Sequence, residues 1–430
     1  MLRVFPTLGG RNVGEKDKVV LAYSGGLDTS VAVRWIQENC GLDVITLTVA
    51  LGAQKDLEKI RSRALAVGAV KALVIDARKT FVEYFVWPAL QAGALYEGVY
   101  PLATALGRPL IAKLLVDTAH EQGAGAVAHG CTGKGNDQVR FDVGVKTLAP
   151  ELRIIAPARE WGMSREDEIL YAREHHIEID VTKKSPYSTD ENLWGRSIEC
   201  GALEDPWVEP PEDAFQWTCD PAQAPAEPEY VEIEFERGIP VALDGQRLDG
   251  VELIAQLNRR AGLHGVGRID HVENRLVGIK SRELYEAPAA VVLHTAHRAL
   301  EGLTMTRQAL RFKELAARHY ADLIYDGLWF SAFHQDLLAY ILSSQRIVTG
   351  TVRMKLFRGQ GIKVGVDSPL SLYSHALATY DKGDQFDHKA ALGFIALHGL
   401  PTQVQARVQL SALAPHPVQA RIMPPEVKPE

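Results

Sequence analysis

The chain has 430 residues, a formal net charge of -7, 46% hydrophobic and 23% charged residues; that length exceeds what one hydrophobic core usually supports, so two domains of an ordinary globular protein are expected. The acidic balance argues against nucleic-acid binding, which needs a basic face, and no stretch has the apolar length of a membrane span or the pattern of a cleavable signal. Four scattered cysteines, Cys40, Cys131, Cys200 and Cys219, suit neither a disulfide framework nor a paired metal site and point to a reducing cytoplasm.

Residues 1–17 mix Arg3, Pro6, Gly9 and Glu15 without an apolar core and read as an N-terminal extension. From Lys18 to about Asp180, apolar runs alternate with helical patterns. Val19–Tyr23, Asp43–Ala50, Lys71–Asp76, Ala126–His129 and Arg153–Ala156 read as strands, and a parallel α/β sheet is expected over 18–182. Helices are expected from near Thr29, over Lys55–Val67 and Arg108–Gln122 with Gly68 and Gly123 as left-handed C-caps, and over Met163–His176, where Ser164 and Asp167 come close to a capping box although Glu or Gln is usual at the second position. Glu204–Glu229, rich in Pro and acidic residues, reads as a linker or an extended surface excursion. Beyond it, Tyr230–Phe235 and Val352–Phe357 read as strands, Asp244-Gly245 as a turn, and Val251–Ala261, Thr304–His319 and Ser331–Ile341 as helices. An α+β second domain over 183–410 is expected, followed by a Pro-rich tail over 411–430.

The most informative segment is Lys18-Val-Val-Leu-Ala-Tyr-Ser-Gly-Gly-Leu-Asp-Thr-Ser30, a strand running into a Ser-Gly-Gly turn and a helix. Gly25 and Gly26 let backbone approach a ligand. Ser24, Thr29 and Ser30 add hydroxyls beside the free amides of a helix N-terminus, which together make a phosphate cradle. It is neither a Walker A loop nor a dinucleotide fingerprint. Ser-Gly-Gly-Leu-Asp-Thr resembles the pyrophosphatase loop, whose enzymes cleave ATP between the α- and β-phosphates.

A second loop, Gly130-Cys-Thr-Gly-Lys-Gly-Asn-Asp-Gln-Val-Arg-Phe141, follows the fourth strand. Thr132, Asn136 and Gln138 offer neutral hydrogen bonds, and Lys134 and Arg140 suit carboxylate or phosphate. Asp137 needs a cation or a substrate ammonium. Lys184–Ser197 and the polar stretch Gly265–Glu286 are weaker clusters in which surface ion pairs compete with site roles. His129 reads as a satisfied structural histidine, and the His175-His176 and His294/His297 pairs as surface features.

These segments, with Ala94-Leu-Tyr-Glu97, Arg108-Pro109 and Ser188-Thr-Asp-Glu-Asn192, resemble argininosuccinate synthase from about Lys18 to about Gly399. The resemblance implies ligation of citrulline and aspartate through a citrullyl-adenylate, with release of AMP and pyrophosphate. By similarity, Ala22, Tyr23, Ser24, Gly25, Gly26, Leu27, Asp28, Thr29, Ser30 and Gly130 hold ATP, with Mg²⁺ on its phosphates. Thr132, Asn136 and Asp137 are expected to bind aspartate. Tyr100, Thr104, Asn136, Arg140, Ser188, Ser197, Glu273 and Tyr285 are expected to bind citrulline. Asp28, Asp137 and Arg140 are expected to act in the chemistry, in a cytoplasmic homotetramer without membrane or nucleic-acid partners. Gly52-Ala53-Gln54 and Thr104-Ala105 depart from the family pattern and predict altered affinity. A non-catalytic ATP-binding descendant and another pyrophosphatase-loop ligase are the alternative readings.

Overall fold

A computed structural model describes residues 17–52, 56–178 and 187–410. The extension before Asp17, the tail from Ser411, and Ala53, Gln54 and Lys184 to Pro186 lie outside the described residues. Residues through Leu372 form one compact unit and those from Tyr373 a second.

The first half alternates β1 (Lys18–Ala22), α1 (Leu27–Cys40), β2 (Asp43–Ala50), α2 (Leu57–Val67) and β3 (Lys71–Asp76). Then come α3 (Arg78–Phe81), a π turn (Val82–Val86), α4 (Trp87–Ala92), α5 (Ala103–Gln122), β4 (Ala126–Ala128), α6 (Asp137–Leu148), β5 (Arg153–Ile155), α7 (Pro157–Glu160) and α8 (Arg165–Glu174). All five strands are parallel, in the order β3-β2-β1-β4-β5. The chain winds outward from β1 in one direction through β2 and β3 and then resumes on the other side with β4. The loops after β1 and β4 therefore flank the switch point, where open α/β sheets leave a crevice. The five predicted strands match to within about one residue at their ends. Gly68 and Gly123 adopt the expected left-handed caps, and Ser164 and Asp167 exchange both bonds of the capping box.

Helix α5 begins five residues earlier than expected. A proline normally marks a first turn, but Pro109 lies inside this helix. The extra turn is held from outside, where Asn192 Nδ2 donates to the Ala103 carbonyl at 2.7 Å. Tertiary contact overrides the local proline signal.

The second half contains β6 (Ser188–Asn192), β7 (Gly195–Glu199), β8 (Glu229–Glu236), β9 (Ile239–Leu243), β10 (Gln246–Arg247) and α9 (Gly250–Leu263). It continues through β11 (Arg268–Asn274), β12 (Lys280–Glu286), α10 (Pro288–Thr304), α11 (Arg307–Tyr325), α12 (Ala332–Ser344), β13 (Gly350–Phe357) and β14 (Gln360–Asp367). Its strands form two antiparallel sheets, β10-β9-β8-β13-β14 and β11-β12-β7-β6, giving the expected α+β class. The second unit carries α13 (His375–Ala378) and α14 (His388–Gln405), and α14 buries none of its side chains.

The largest apolar core joins Phe81, Trp87, Leu90 and Leu106 of the first half to Ile233, Leu257, Leu293 and Tyr320 of the second. The 78–122 helices thus lock the parallel sheet to the antiparallel ones. The Pro-rich stretch is an excursion pinned by one buried carboxylate. Glu286, fully buried, accepts backbone N–H bonds from Gln216, Trp217 and Thr218 and pairs with Arg196 at 2.8 Å. A buried carboxylate is tolerable only with such a complete set of donors.

The polar stretch from Gly265, to which the sequence assigned no element, is a regular hairpin, β11 paired with β12 from Arg268↔Glu286 to Asn274↔Lys280. One sequence reading is corrected. His297 is buried at 1% exposure, bonded to Gln345 at 2.8 Å, and burial pushes the neighbouring His294 ring down to about 3. Both histidines occupy the inner side of α10, so this pair is not a surface feature.

Candidate active site

The first loop takes its shape from its glycines and hydroxyls. Gly25 has φ +79°, and a Cβ there would come within 3.1 Å of Ile60, so only glycine suits the turn. The Gly26 amide donates to Ser24 Oγ at 3.3 Å, and Ser24 Oγ lies 3.1 Å from Thr29 Oγ1. Helix α1 has no side-chain cap, which leaves its first-turn amides to a ligand. Ser30 turns inward instead and bonds the Tyr23 hydroxyl at 2.9 Å.

Asp28 opens α1 beside a group the sequence reading did not single out. Glu168, on α8 and buried, shares a hydrogen bond with Asp28; burial first and the Asp28 charge second push the Glu168 carboxyl up to about 8. The two loops abut, since a Cβ on Gly130 would sit 3.0 Å from Thr29 Cγ2.

Beyond Gly130, His129 is satisfied on both ring nitrogens, with Asp142 at 2.8 Å and the Cys131 amide at 3.2 Å. Its structural reading holds. Asp137 starts α6 between two guanidiniums, Arg108 Nη2 at 2.7 Å and Arg140 Nη1 at 2.8 Å. Burial raises its pKa, but the Arg108 and Arg140 charges outweigh burial and hold this carboxyl well below the usual carboxylate range. Arg108 also pairs with Asp190 of β6. Arg140 is 5% exposed and donates through Nε to the Tyr325 carbonyl at 2.9 Å, while its Nη2 is buried without a partner among the described residues.

The second sheet forms the far wall. Tyr285 stacks on Tyr100 with ring centroids 4.0 Å apart, and its hydroxyl donates to Glu273. Tyr100 O–H lies 2.8 Å from Thr104 Oγ1, so Thr104 supplies a hydroxyl beside the fully buried Ala105. Arg275 pairs with Glu199 and Glu283; burial, followed by the Glu199 charge, pushes the Glu283 carboxyl up to about 7. Gly52 closes the edge, where a Cβ would come within 2.9 Å of Asn192 Cα.

These walls enclose a cleft of about 760 Å³. It is lined by Ala22, Tyr23, Ser24, Gly26, Leu27, Asp28 and Thr29 at one end, by Gly130, Asn136, Asp137 and Arg140 in the middle, and by Tyr100, Thr104, Ser188, Ser197, Glu273 and Tyr285 at the other. Gly25, Ser30 and Thr132 do not line it; Thr132 is exposed and Ser30 is buried behind the loop. Arg108, Asp190, Arg275, Glu283 and Tyr325 also face the cleft. Arg108 and Asp190 lie inside motifs recognisable in the sequence, whereas Tyr325 closes an amphipathic helix and carries no local signal.

Comparison with known proteins agrees with this architecture. Family models match the arginosuccinate synthase N-terminal HUP domain over residues 18–178 and the arginosuccinate synthase C-terminal domain over residues 187–405. The chain is 61% identical over 393 residues to an argininosuccinate synthase of Dehalococcoides mccartyi, covering 91% of this chain and 97% of that one. It is 61% identical over 397 residues to that of Symbiobacterium thermophilum, covering 92% and 99%, and 58% identical over 393 residues to that of Oceanobacillus iheyensis, covering 91% and 94%. With both halves matched and relatives aligned over most of their length, the chain belongs to the argininosuccinate synthase family.

Proposed function

We propose a division of labour within the cleft for the reaction of this family. The chain is an ATP-using ligase of arginine biosynthesis that joins citrulline to aspartate, releasing AMP and pyrophosphate. The observation that carries the division is one continuous cleft holding the Ser24–Thr29 loop at one end and the Arg140, Glu273 and Tyr285 cluster at the other. Residues 18–182 would bind the nucleotide, and 183–410 would complete the substrate site and the assembly.

The free amides of α1, with Ser24, Gly26 and Thr29, receive the phosphates, which arrive as the Mg²⁺ complex of the substrate. Arg140 Nη2 is the donor left over for the citrulline carboxylate, and Glu273 accepts its ammonium. The ureido oxygen is a weak nucleophile, so rate comes from aligning it with the α-phosphorus while loop amides absorb charge on the leaving pyrophosphate. The amine of aspartate then attacks the ureido carbon and displaces AMP. Asp137, held ionised by two arginines, suits binding the ammonium form of aspartate rather than removing its proton.

A homotetramer is the proposed assembly. Leu392, Phe394, Ile395 and Leu397 of α14 are 62–73% exposed, and a second, largely apolar hollow of about 520 Å³ lies between Met305, Phe312, Tyr340 and Ile347. Apolar surface on this scale supports self-association. The four free cysteines support a reducing, cytoplasmic setting. Among the described residues no helix is long and apolar enough to cross a membrane.

Incubation with Mg²⁺-ATP and citrulline, with and without aspartate, tests the reaction. Argininosuccinate and AMP detected by mass spectrometry only with aspartate are expected, and bound ATP without product would leave only a nucleotide-binding protein. Arg140→Ala is expected to weaken citrulline binding by about 2–4 kcal/mol, a KM rise of about 30-fold or more; an unchanged citrulline KM removes Arg140 from the site. Light scattering on a sizing column should give the mass of four chains, and a monomer would overturn the tetramer. Glu168 binds its proton more tightly in the fold than in the unfolded chain, since its pKa rises from 4.5 to about 8. Its contribution to stability is therefore complete below about pH 4.5 and lost as pH rises through 8. Glu168→Gln should match the wild type in Tm near pH 5 and exceed it by about 2–4 °C at pH 9; parallel profiles would contradict the shared proton.

A further inference from the structure

Three of the residues assigned above to citrulline or aspartate converge on one side chain outside every recognised motif. Tyr325, 1% exposed, is the last residue of α11. Its hydroxyl donates to Glu273 Oε1 at 2.6 Å and accepts from Asn136 Nδ2 at 2.7 Å. Its carbonyl accepts from Arg140 Nε at 2.9 Å, and the Arg140 guanidinium carbon lies 4.8 Å from its ring centroid. One residue thus touches the loop after β4, the head of α6 and the β11–β12 hairpin.

The surroundings hold Tyr325 in a single place. Tyr96 stacks on its other side with centroids 3.5 Å apart and planes 3° from parallel, and the Tyr96 hydroxyl donates to the Asn274 carbonyl at 2.7 Å. Helix α11 ends in a Schellman turn: the Leu328 amide donates to the Leu323 carbonyl at 2.9 Å and the Gly327 amide to Ile324 at 3.2 Å. Gly327 has φ +75°, and a Cβ there would lie 2.8 Å from Arg140 Cα. The helix end is shaped so that the backbone of α6 can rest against it.

The amide of Asn136 is oriented at both ends, since its Oδ1 accepts from the Leu276 amide at 2.9 Å. Its Nδ2 must therefore donate, and the tyrosine hydroxyl is the acceptor. That hydroxyl has one proton, which goes to Glu273. Hydrogen-bond polarity runs one way from Leu276 through Asn136 and Tyr325 to the carboxylate. Removing the hydroxyl breaks two links at once and leaves a buried amide and a buried carboxylate each one partner short.

We infer that Tyr325 is a positioning residue of the citrulline site, setting the separation between Arg140 and Glu273 through its hydroxyl, carbonyl and ring. This rests on the assignment of Arg140 and Glu273 to citrulline proposed above. A ligand bearing both an ammonium and a carboxylate bridges two fixed points, so a change in their spacing falls on that ligand and spares the nucleotide.

Tyr325→Phe keeps the stack and the carbonyl and removes only the hydroxyl. Steady-state kinetics of this variant, of Glu273→Gln and of the double variant test the inference, with thermal melting run on each. Expected are a citrulline KM raised about 10-fold for Tyr325→Phe, ATP KM within about twofold of wild type, and a double variant no worse than Glu273→Gln alone, as residues acting through one another require. A citrulline KM unchanged by Tyr325→Phe but raised by Glu273→Gln overturns the inference and leaves the site assignment standing. Equal rises in the KM for all three substrates with a lowered Tm would mean a merely structural role and would also overturn it. A citrulline KM unmoved by Glu273→Gln removes the assignment and the inference with it.

Discussion

The constraint on which the site depends is the placing of the part-buried Asp137 between two arginines. Without them, partial burial would raise the pKa of that carboxyl, and a guanidinium as buried as Arg140 would be costly unpaired. Together, Arg108, Asp137, Arg140 and Asp190 balance one another, but only when α5, α6 and β6 are in register. Each of those elements also faces the cleft. The charge cluster thus makes the site and the packing of the two halves into one problem, and loss of either arginine would leave an uncompensated charge rather than a mere gap.

The topology explains why that cluster forms where it does. Parallel strands send every following loop to the same sheet edge, and the reversal of winding at β1 and β4 opens a crevice between two such loops. Glycine lets those loops touch, as at Gly130 against Thr29. The second wall comes from an antiparallel sheet over 150 residues downstream in part, brought up by the helices between β3 and β4 that share its core. The cleft is therefore lined from two different sheets of one compact unit.

Legibility followed the same division. The central strands β1, β2 and β4 of the parallel sheet are buried over most of their length and read as apolar runs, and the loops after β1 and β4 carry glycines whose spacing has few other uses. The hairpin β11–β12 was opaque because several of its side chains are polar and face the cleft: Glu273 and Glu283 interrupt the apolar alternation that marks an ordinary strand, and Arg275 faces the cleft from the turn between them. His297 was misjudged because a histidine pair looks hydrophilic in isolation. Its neighbours Leu293, Ala296 and Leu300 show the inward side of α10 on which it lies. Arg108 was visible within a recognised motif, but its partnership with Asp137 spans 29 residues and Asp190 spans 82, distances at which pattern reading has no purchase. Tyr325 had no local mark at all, since a tyrosine ending an amphipathic helix is ordinary core composition.

The way Arg140 is used bears on selectivity. Its Nη1 donates to Asp137 and its Nε to a carbonyl, and Nη2 is buried without a partner among the described residues. On the reading proposed above, a substrate carboxylate meets Nη2 there, since the Nε–H and one N–H of Nη1 are already used. Glu273, already accepting from two tyrosines, has remaining lone pairs for an ammonium but is a poor host for a neutral group. On the reading proposed above, a ligand lacking either charge would leave Arg140 or Glu273 under-partnered in a buried setting, at a cost of about 1–3 kcal/mol. Discrimination for a zwitterion then comes from two incomplete anchors at fixed separation, and the rigidity of the frame that fixes them matters as much as the anchors themselves.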